Sequence, residues 1–313
     1  MKHTISLIDD YIDGDVAYIL GMVMVRGEFQ EYNSLKTLLI NFPYQLMKIQ
    51  GLPGGDLEFN QENEIKLSLG NVRNKLEELL GTTVSLEAAS NIITLKANFF
   101  HDTVAWRDLK LLTDNKTDYR EFEVPNVIFN APIEIQKEFI RGIADASSSP
   151  SYADRDQVGK QRIVIQFANQ NWVLPIQVCK LLQKDLNVNV QHILWGHPNV
   201  RSPNEEGSNW AKEHRMRIYA EEFAKIGFNF KYKQDILNEF ISFNSNHQTK
   251  KCNPCAKNIR NQKPSHADEI SDKLPVIIRG KHFDAAFEIC LALGCDQCVK
   301  EESLFEEENT EDI

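Results

Sequence analysis

The sequence contains no apolar run near the roughly 20 residues that a helix needs to cross a bilayer, which excludes a helical membrane span. Its amino terminus, MKHTISLIDDYIDGD, lacks the basic flank and apolar centre of a secretory signal and carries acids instead, so the expected location is the cytoplasm. An excess of base is missing too. Lys and Arg number 35 against 45 Asp and Glu, a net charge of −10. Unselective adhesion to nucleic acid needs cations across the contact surface, and this balance argues against it. The deficit is local, because the last thirteen residues, EESLFEEENTEDI, hold seven acids and no base and leave residues 1–300 near −3. Such a tail is expected to be disordered. Cysteine is scarce as well. Of the six, four form two Cys-x-x-Cys pairs, a usage that fits metal ligation in a reducing compartment better than a disulfide framework.

What is present is a chain of 313 residues with 42% hydrophobic and 26% charged side chains, enough for two domains or for one duplicated unit with an appendage. Two segments start alike: DVAYILGMVMVRGEF (15–29) and QKEFIRGIADASSSPSY (136–152). Each reads as a helix ending in a turn. Small residues recur at a four-residue step, Ala17, Gly21 and Val25 in the first and Gly142 and Ala146 in the second, which puts them on one helical face and lets two such faces meet backbone to backbone.

The elements that follow also repeat. After the first helix, the pattern predicts a strand EIKLSL (64–69), a helix NVRNKLEELL (71–80), strands TTVSLEA (82–88) and NIITLKANF (91–99), and a helix near 103–112. After the second come strand QRIVIQFA (161–168), helix 171–186, strands VNVQHILW (188–195) and HRMRIYA (214–220), and EEFAKIGF (221–228). The stretch LKTLLINFPYQLMKIQGLPGG reads as an insertion in the first copy. Alternation then places Ile163, Ile165, Phe167, Met216 and Ile218 inward. Outward go Arg162, Gln166, Arg215, Arg217 and Tyr219 in the second copy, and Lys66, Ser68, Thr83, Ser85, Thr94, Lys96 and Asn98 in the first. Arg, Lys, Gln and Asn are the types that meet phosphates and base edges; a solvated sheet face shares this polarity.

The segments ILGMVMVRG (19–27) and IRGIADASS (140–148) resemble the two signature motifs of single-chain LAGLIDADG proteins, the homing-endonuclease family, and the resemblance spans roughly residues 15–232. It implies an α+β fold of duplicated αββαββα units, with the two helices packed at a pseudo-twofold axis and two sheets forming a saddle over the major groove of double-stranded DNA. In that family each motif helix ends in an acid, and the two acids share divalent metal ions that drive phosphodiester cleavage. Here those positions fall on Arg26 and Ser147, while Asp145 matches the earlier, non-catalytic aspartate. Mg²⁺ needs oxygen ligands, preferably carboxylates, so Mg²⁺ enters only if other acids, such as Asp13, Asp15, Asp154 and Asp156, rebuild the site. Arg26 instead becomes a candidate contact for the DNA backbone.

Cys252 and Cys255, with Cys295 and Cys298, can close a tetrahedral four-thiolate site, the pattern of a structural Zn²⁺ module without an open position for chemistry. Cys179 and Cys290 read as core residues, and His192, His197, His214, His247, His266 and His282 form no catalytic pair at a metal-ligand spacing. Lys250, Lys251, Lys257 and Arg260 surround the first knuckle and offer a second phosphate contact. The expected organisation is a first repeat over 1–125, a second over 126–240, a four-cysteine zinc module over 241–300 and an acidic tail over 301–313. The expected function is sequence-specific DNA binding by a monomer, nucleoid-associated when bound and without family-type cleavage. The rival readings are an active endonuclease of homing or restriction type and a zinc-bearing protein-interaction module.

Overall fold

The Asp13 carboxylate accepts a hydrogen bond from the Val16 N–H at 2.9 Å and so caps helix α1 (Gly14–Arg26), satisfying one of the donors a helix start leaves open. From Ala17 to Val25 every residue of α1 is buried, which a helix does only inside a domain. The computed structural model that shows this describes residues 12–32, 34–43, 61–89, 92–151, 161–198 and 212–246. Helix α1 runs directly into β1 (Gly27–Tyr32), followed by β2 (Leu35–Pro43), α2 (Gln61–Leu80), β3 (Val84–Ala89), β4 (Ile92–Phe99) and α3 (Val104–Leu112). A short α4 (Asn126–Asn130) precedes α5 (Ile133–Ser147), which again runs directly into a strand, β5 (Ser148–Ser151). Then come β6 (Arg162–Ala168), α6 (Val173–Lys180) with a π-helical turn at Leu181–Asp185, β7 (His192–Pro198), β8 (Lys212–Tyr219), α7 (Ala220–Phe223) and α8 (Lys231–Asn246).

Each half builds a four-stranded antiparallel sheet, in the order β1-β2-β4-β3 and β5-β6-β8-β7, so the chain takes the same path through both. The halves meet along α1 and α5. A Cβ added to Gly21 would lie 2.1 Å from the Phe139 carbonyl oxygen, and one added to Gly142 would lie 1.9 Å from that of Tyr18. Phe139 and Gly142 follow Tyr18 and Gly21 by 121 residues, the interval that also separates Arg26 from Ser147. One contact therefore maps onto the other when the halves are exchanged, which defines a local pseudo-twofold axis. This is the packing that the two glycine segments implied.

The two inner sheet faces hold the core, with Leu38, Ile40, Phe42 and Leu95 in the first and Ile163, Ile165, Met216 and Ile218 in the second, all buried. Against the first sheet packs α2, through Ile65, Leu69, Val72, Leu76 and Leu80. This corrects the strand expected at 64–69. EIKLSL alternates, but its apolar residues continue into the next segment at steps of three and four, and the helical period extends over 20 residues where the alternation covers six. Gly70 lies inside that helix with no atom within 4 Å of an added Cβ. Replacing it with alanine is expected to stabilise the protein by roughly 0.5–1 kcal/mol through helix propensity alone, measured as a shift in the urea midpoint. The stretch read as an insertion contains β2, and the true counterpart of β6 is β2 rather than residues 64–69. Neither α4 nor α8 was expected.

Candidate nucleic-acid interface

Alternation along the strands gives each sheet a second face, turned away from the helices. On the first sheet its cross-strand rows are Gln30, Thr37 and Asn98; Glu28, Leu39, Lys96 and Ser85; and Asn41, Thr94 and Glu87. The polar members bond to one another. The Thr37 hydroxyl donates to Asn98 Oδ1 at 3.1 Å and the Thr94 hydroxyl to Asn41 Oδ1 at 2.8 Å. Lys96 lies 3.5 Å from Glu87. Thr94, Lys96 and Asn98 are half-buried and Ser85 is exposed on this face. Thr83 is exposed just before β3. Lys66 is elsewhere. It is exposed on α2, whose buried stripe packs on the inner face, so it stands on the helix side of the sheet, and the buried Ser68 shares that helix.

On the second sheet, Arg215, Arg217 and Tyr219 are half-buried along β8 and turned away from the helices. Arg215 Nε donates to Glu213 Oε1 at 2.6 Å. Arg162 and Gln166 lie on the same face of β6 but are only 3% exposed each, which corrects the expectation of an open surface there. Arg162 donates to Gln191 Oε1 at 3.4 Å, and Gln191 donates to the Tyr219 hydroxyl at 2.9 Å. A two-residue period sets the face of a side chain, whereas its exposure depends on neighbours that the period does not encode.

Between the sheets lie the ends of the two central helices. Arg26 is half-buried; its Nη2 donates to Ser147 Oγ at 3.0 Å, and the Ser147 hydroxyl donates to the Gln166 carbonyl. Arg26 Nε is buried with no hydrogen-bond partner among the described residues. Burial pulls this guanidinium below its usual pKa, opposed by Tyr119 and Glu213 nearby, and it stays a cation in the working range. Where a divalent ion would require carboxylates, the two helix ends supply a cation and a hydroxyl. Among the described residues no group of three or more His, Cys, Asp or Glu is placed to hold a metal ion. Asp13 and Asp15 stand at the opposite end of α1, about 18 Å away by helix rise. The first caps the helix and the second pairs with Lys75, so neither rebuilds a site beside Arg26.

Asp145 shows what the retained motif aspartate does. Its carboxylate accepts from the Tyr18 hydroxyl at 2.8 Å and from the backbone N–H groups of Asn229 and Phe230 at 3.0 and 3.3 Å. It ties α1, α5 and the turn before α8 together. Opposite it, Lys233 Nζ donates to the carbonyls of Ala144, Asp145 and Ser148 at 3.2, 2.7 and 2.8 Å. No pattern in KYKQDILNEF marks that lysine as buried. Cys252, Cys255, Cys295, Cys298, Lys250, Lys251, Lys257 and Arg260 lie outside the described residues, as do Asp154 and Asp156. Cys179 is buried in the core, as expected.

No protein-family model and no curated protein matches the sequence. Among solved structures, the chain is similar to mesophilic variants of the homing endonuclease I-DmoI, at 15% identity over 70% of this chain and 87% of that one, with a TM-score of 0.40. It is similar to full-length DUF199/WhiA from Thermatoga maritima, at 12% identity over 76% of this chain and 65% of that one, with a TM-score of 0.40. A third is the homing endonuclease I-WcaI bound to its DNA recognition sequence, at 13% identity over 75% and 94% of the two chains, with a TM-score of 0.38. Likenesses at these scores leave the functional argument to the chain's own geometry. Among the described residues no helix is long and apolar enough to cross a membrane.

Proposed function

We propose that the chain binds double-stranded DNA along the outward faces of its two sheets, with Arg26 against the phosphate backbone at the centre, and that it does not perform the metal-dependent cleavage of the family its motifs resemble. The observation that carries this reading is the reciprocal glycine contact. It joins two sheets of identical strand path about one axis, and at the end of that axis it leaves a guanidinium and a hydroxyl where a nuclease of the family would need two acids. A duplex is itself pseudo-symmetric, and phosphate contacts fix register while base contacts select sequence. Arg26, a half-buried guanidinium anchored by Ser147, is suited to the first task. Outward side chains such as Lys96, Arg215 and Arg217 are suited to either. Beyond the described residues, the four paired cysteines and the basic residues around them extend the proposal, as a structural zinc site beside a second phosphate contact.

The test uses the full-length protein with duplexes selected from a randomised pool. The logarithm of the apparent binding constant is expected to fall linearly with the logarithm of salt concentration, and Arg26→Gln is expected to weaken binding to all sequences alike and flatten that slope by about 1. An unchanged slope removes Arg26 from the phosphate contact. Supercoiled plasmid with Mg²⁺ or Mn²⁺ is expected to stay uncut; a nicked or linear product that disappears in a purified inactive control establishes the endonuclease instead. No retained duplex at low salt leaves the interaction-module reading.

A further inference from the structure

The two sheet faces present different chemistry. On the first, the outward strand positions offer the amides Gln30, Asn41 and Asn98, and Lys96 is the one cation among them, close to Glu87. On the second, β8 offers the guanidinium groups of Arg215 and Arg217 and no amide, and the one glutamine on that face of β6, Gln166, is 3% exposed.

Two of these amides, Asn98 and Asn41, are held in fixed orientations. Asn98 Oδ1 accepts the Thr37 hydroxyl, so the group cannot turn over without losing that bond. Among the described residues nothing takes its two amide hydrogens, and one lone pair on Oδ1 remains. It therefore presents a donor beside an acceptor, the complement of adenine N7 and N6–H in the major groove. Asn41 is held in the same way by Thr94, with its Nδ2 donating to Glu28 Oε1 at 3.4 Å. Toward the ends of this face, Tyr32, Leu35 and Ile92 are 77%, 36% and 44% exposed. Apolar surface meets one group on the base edges, the thymine methyl. On β8, Glu213 holds Arg215 by Nε, which leaves its two terminal amino groups as a fork; two donors side by side match guanine O6 and N7.

We infer that the target is a composite site, with A·T pairs under the first sheet read by the pinned amides and apolar residues, and G·C pairs under β8 read by Arg215. This rests on the proposed DNA binding. The experiment is selection of the full-length protein on a randomised duplex pool, sequencing of the bound fraction, and competition of the selected duplex against single-base changes. The expected result is a motif whose two halves differ in base composition. Asn98→Ala is expected to lose roughly 5- to 150-fold discrimination at one A·T pair, the range for a bidentate contact, without changing the salt slope. Thr37→Val keeps the amide but frees it, and should lose part of that discrimination. Arg215→Lys keeps the charge and removes the fork, and should lose discrimination at one G·C pair only. Thermal unfolding of each variant separates these losses from misfolding. A bound pool with the same composition in both halves, or full discrimination by a folded Asn98→Ala protein, overturns the composite site while leaving DNA binding intact. A pool from which no duplex is retained overturns both.

Discussion

Gly142→Ala is expected to destabilise the protein by about 2 kcal/mol or more, and Gly21→Ala by a similar amount. An alanine in a helix interior is ordinarily better than glycine by about 0.8–1 kcal/mol, so the sign has to come from packing. The added methyl would lie 1.9 Å from the Tyr18 carbonyl oxygen at position 142 and 2.1 Å from the Phe139 oxygen at position 21. Neither obstacle is a flexible side chain. Both are helix backbone, so relief requires α1 and α5 to separate, which loosens contacts along a helix buried from Ala17 to Val25. Overpacking of this kind costs roughly 1–3 kcal/mol and at times more, which outweighs the propensity gain. The two sites share one remedy, because a single separation of the helices clears both methyls. The double variant should therefore lose clearly less than the sum of the single losses, a coupling readable from urea unfolding of the four proteins. Strict additivity would mean that the glycines do not face one another across a common interface. Gly70→Ala, where the new methyl meets nothing, is the control of opposite sign.

Those glycines were visible in the sequence because close helix contact leaves a trace in residue size: Gly21 and Gly142 sit at matching places in two segments that otherwise share few residues. Alternation likewise placed Thr94, Lys96, Asn98, Arg215 and Arg217 on the faces where they stand. Three features left weaker traces. Residues 64–69 alternate over a window too short to distinguish a strand from the start of a helix, and this hid the role of β2 as the true partner of β6. Asn41 and Thr37 lie on β2, so their place on the outward face follows only from its pairing with β1 and β4. The burial of Arg162 and Gln166 depends on tertiary neighbours such as Gln191 and Tyr219, which no local pattern encodes. Lys233 is the extreme case. A lysine between two aromatic-containing turns of an amphipathic segment reads as solvated, yet it is 1% exposed because the end of α5 supplies three carbonyl acceptors at that point.

Lys233→Met is expected to cost about 3–5 kcal/mol, the range for leaving a buried charge uncompensated, because Lys233 bonds to three carbonyls and faces the Asp145 carboxylate electrostatically. The substitution keeps the volume of the side chain, so little of the loss comes from a cavity. What remains is a helix end with its carbonyls unsatisfied and the Asp145 carboxyl without its counter-charge. The effect also has a pH signature. Burial pushes Asp145 up to about 6 from an ordinary 3.8, with Lys233 and its hydrogen-bond donors opposing. Burial pulls Lys233 down to about 7 from an ordinary 10.5, with Asp145 opposing and Arg26 adding to the fall. Between 3.8 and about 6 the folded protein holds a proton that the unfolded chain has released, so the contribution of Asp145 to stability declines as pH rises. Between about 7 and 10.5 the unfolded chain holds a proton that the folded protein has lost, so the contribution of Lys233 grows with pH. The pair thus contributes least near neutrality. In Lys233→Met the rise above pH 7 should vanish, and the decline should run past pH 6, since the ammonium no longer holds Asp145 down. Denaturant unfolding at a series of pH values resolves the two limbs, and a variant that keeps the alkaline rise would show that Lys233 is not its source. Because Arg26 bonds to Ser147 while Lys233 holds the carbonyls of Ala144, Asp145 and Ser148 at the same helix end, the same variant asks whether the Lys233 contacts keep the Arg26 guanidinium in place. If they do, Lys233→Met flattens the salt slope of DNA binding as Arg26→Gln does, although Lys233 itself is too deeply buried to reach a phosphate.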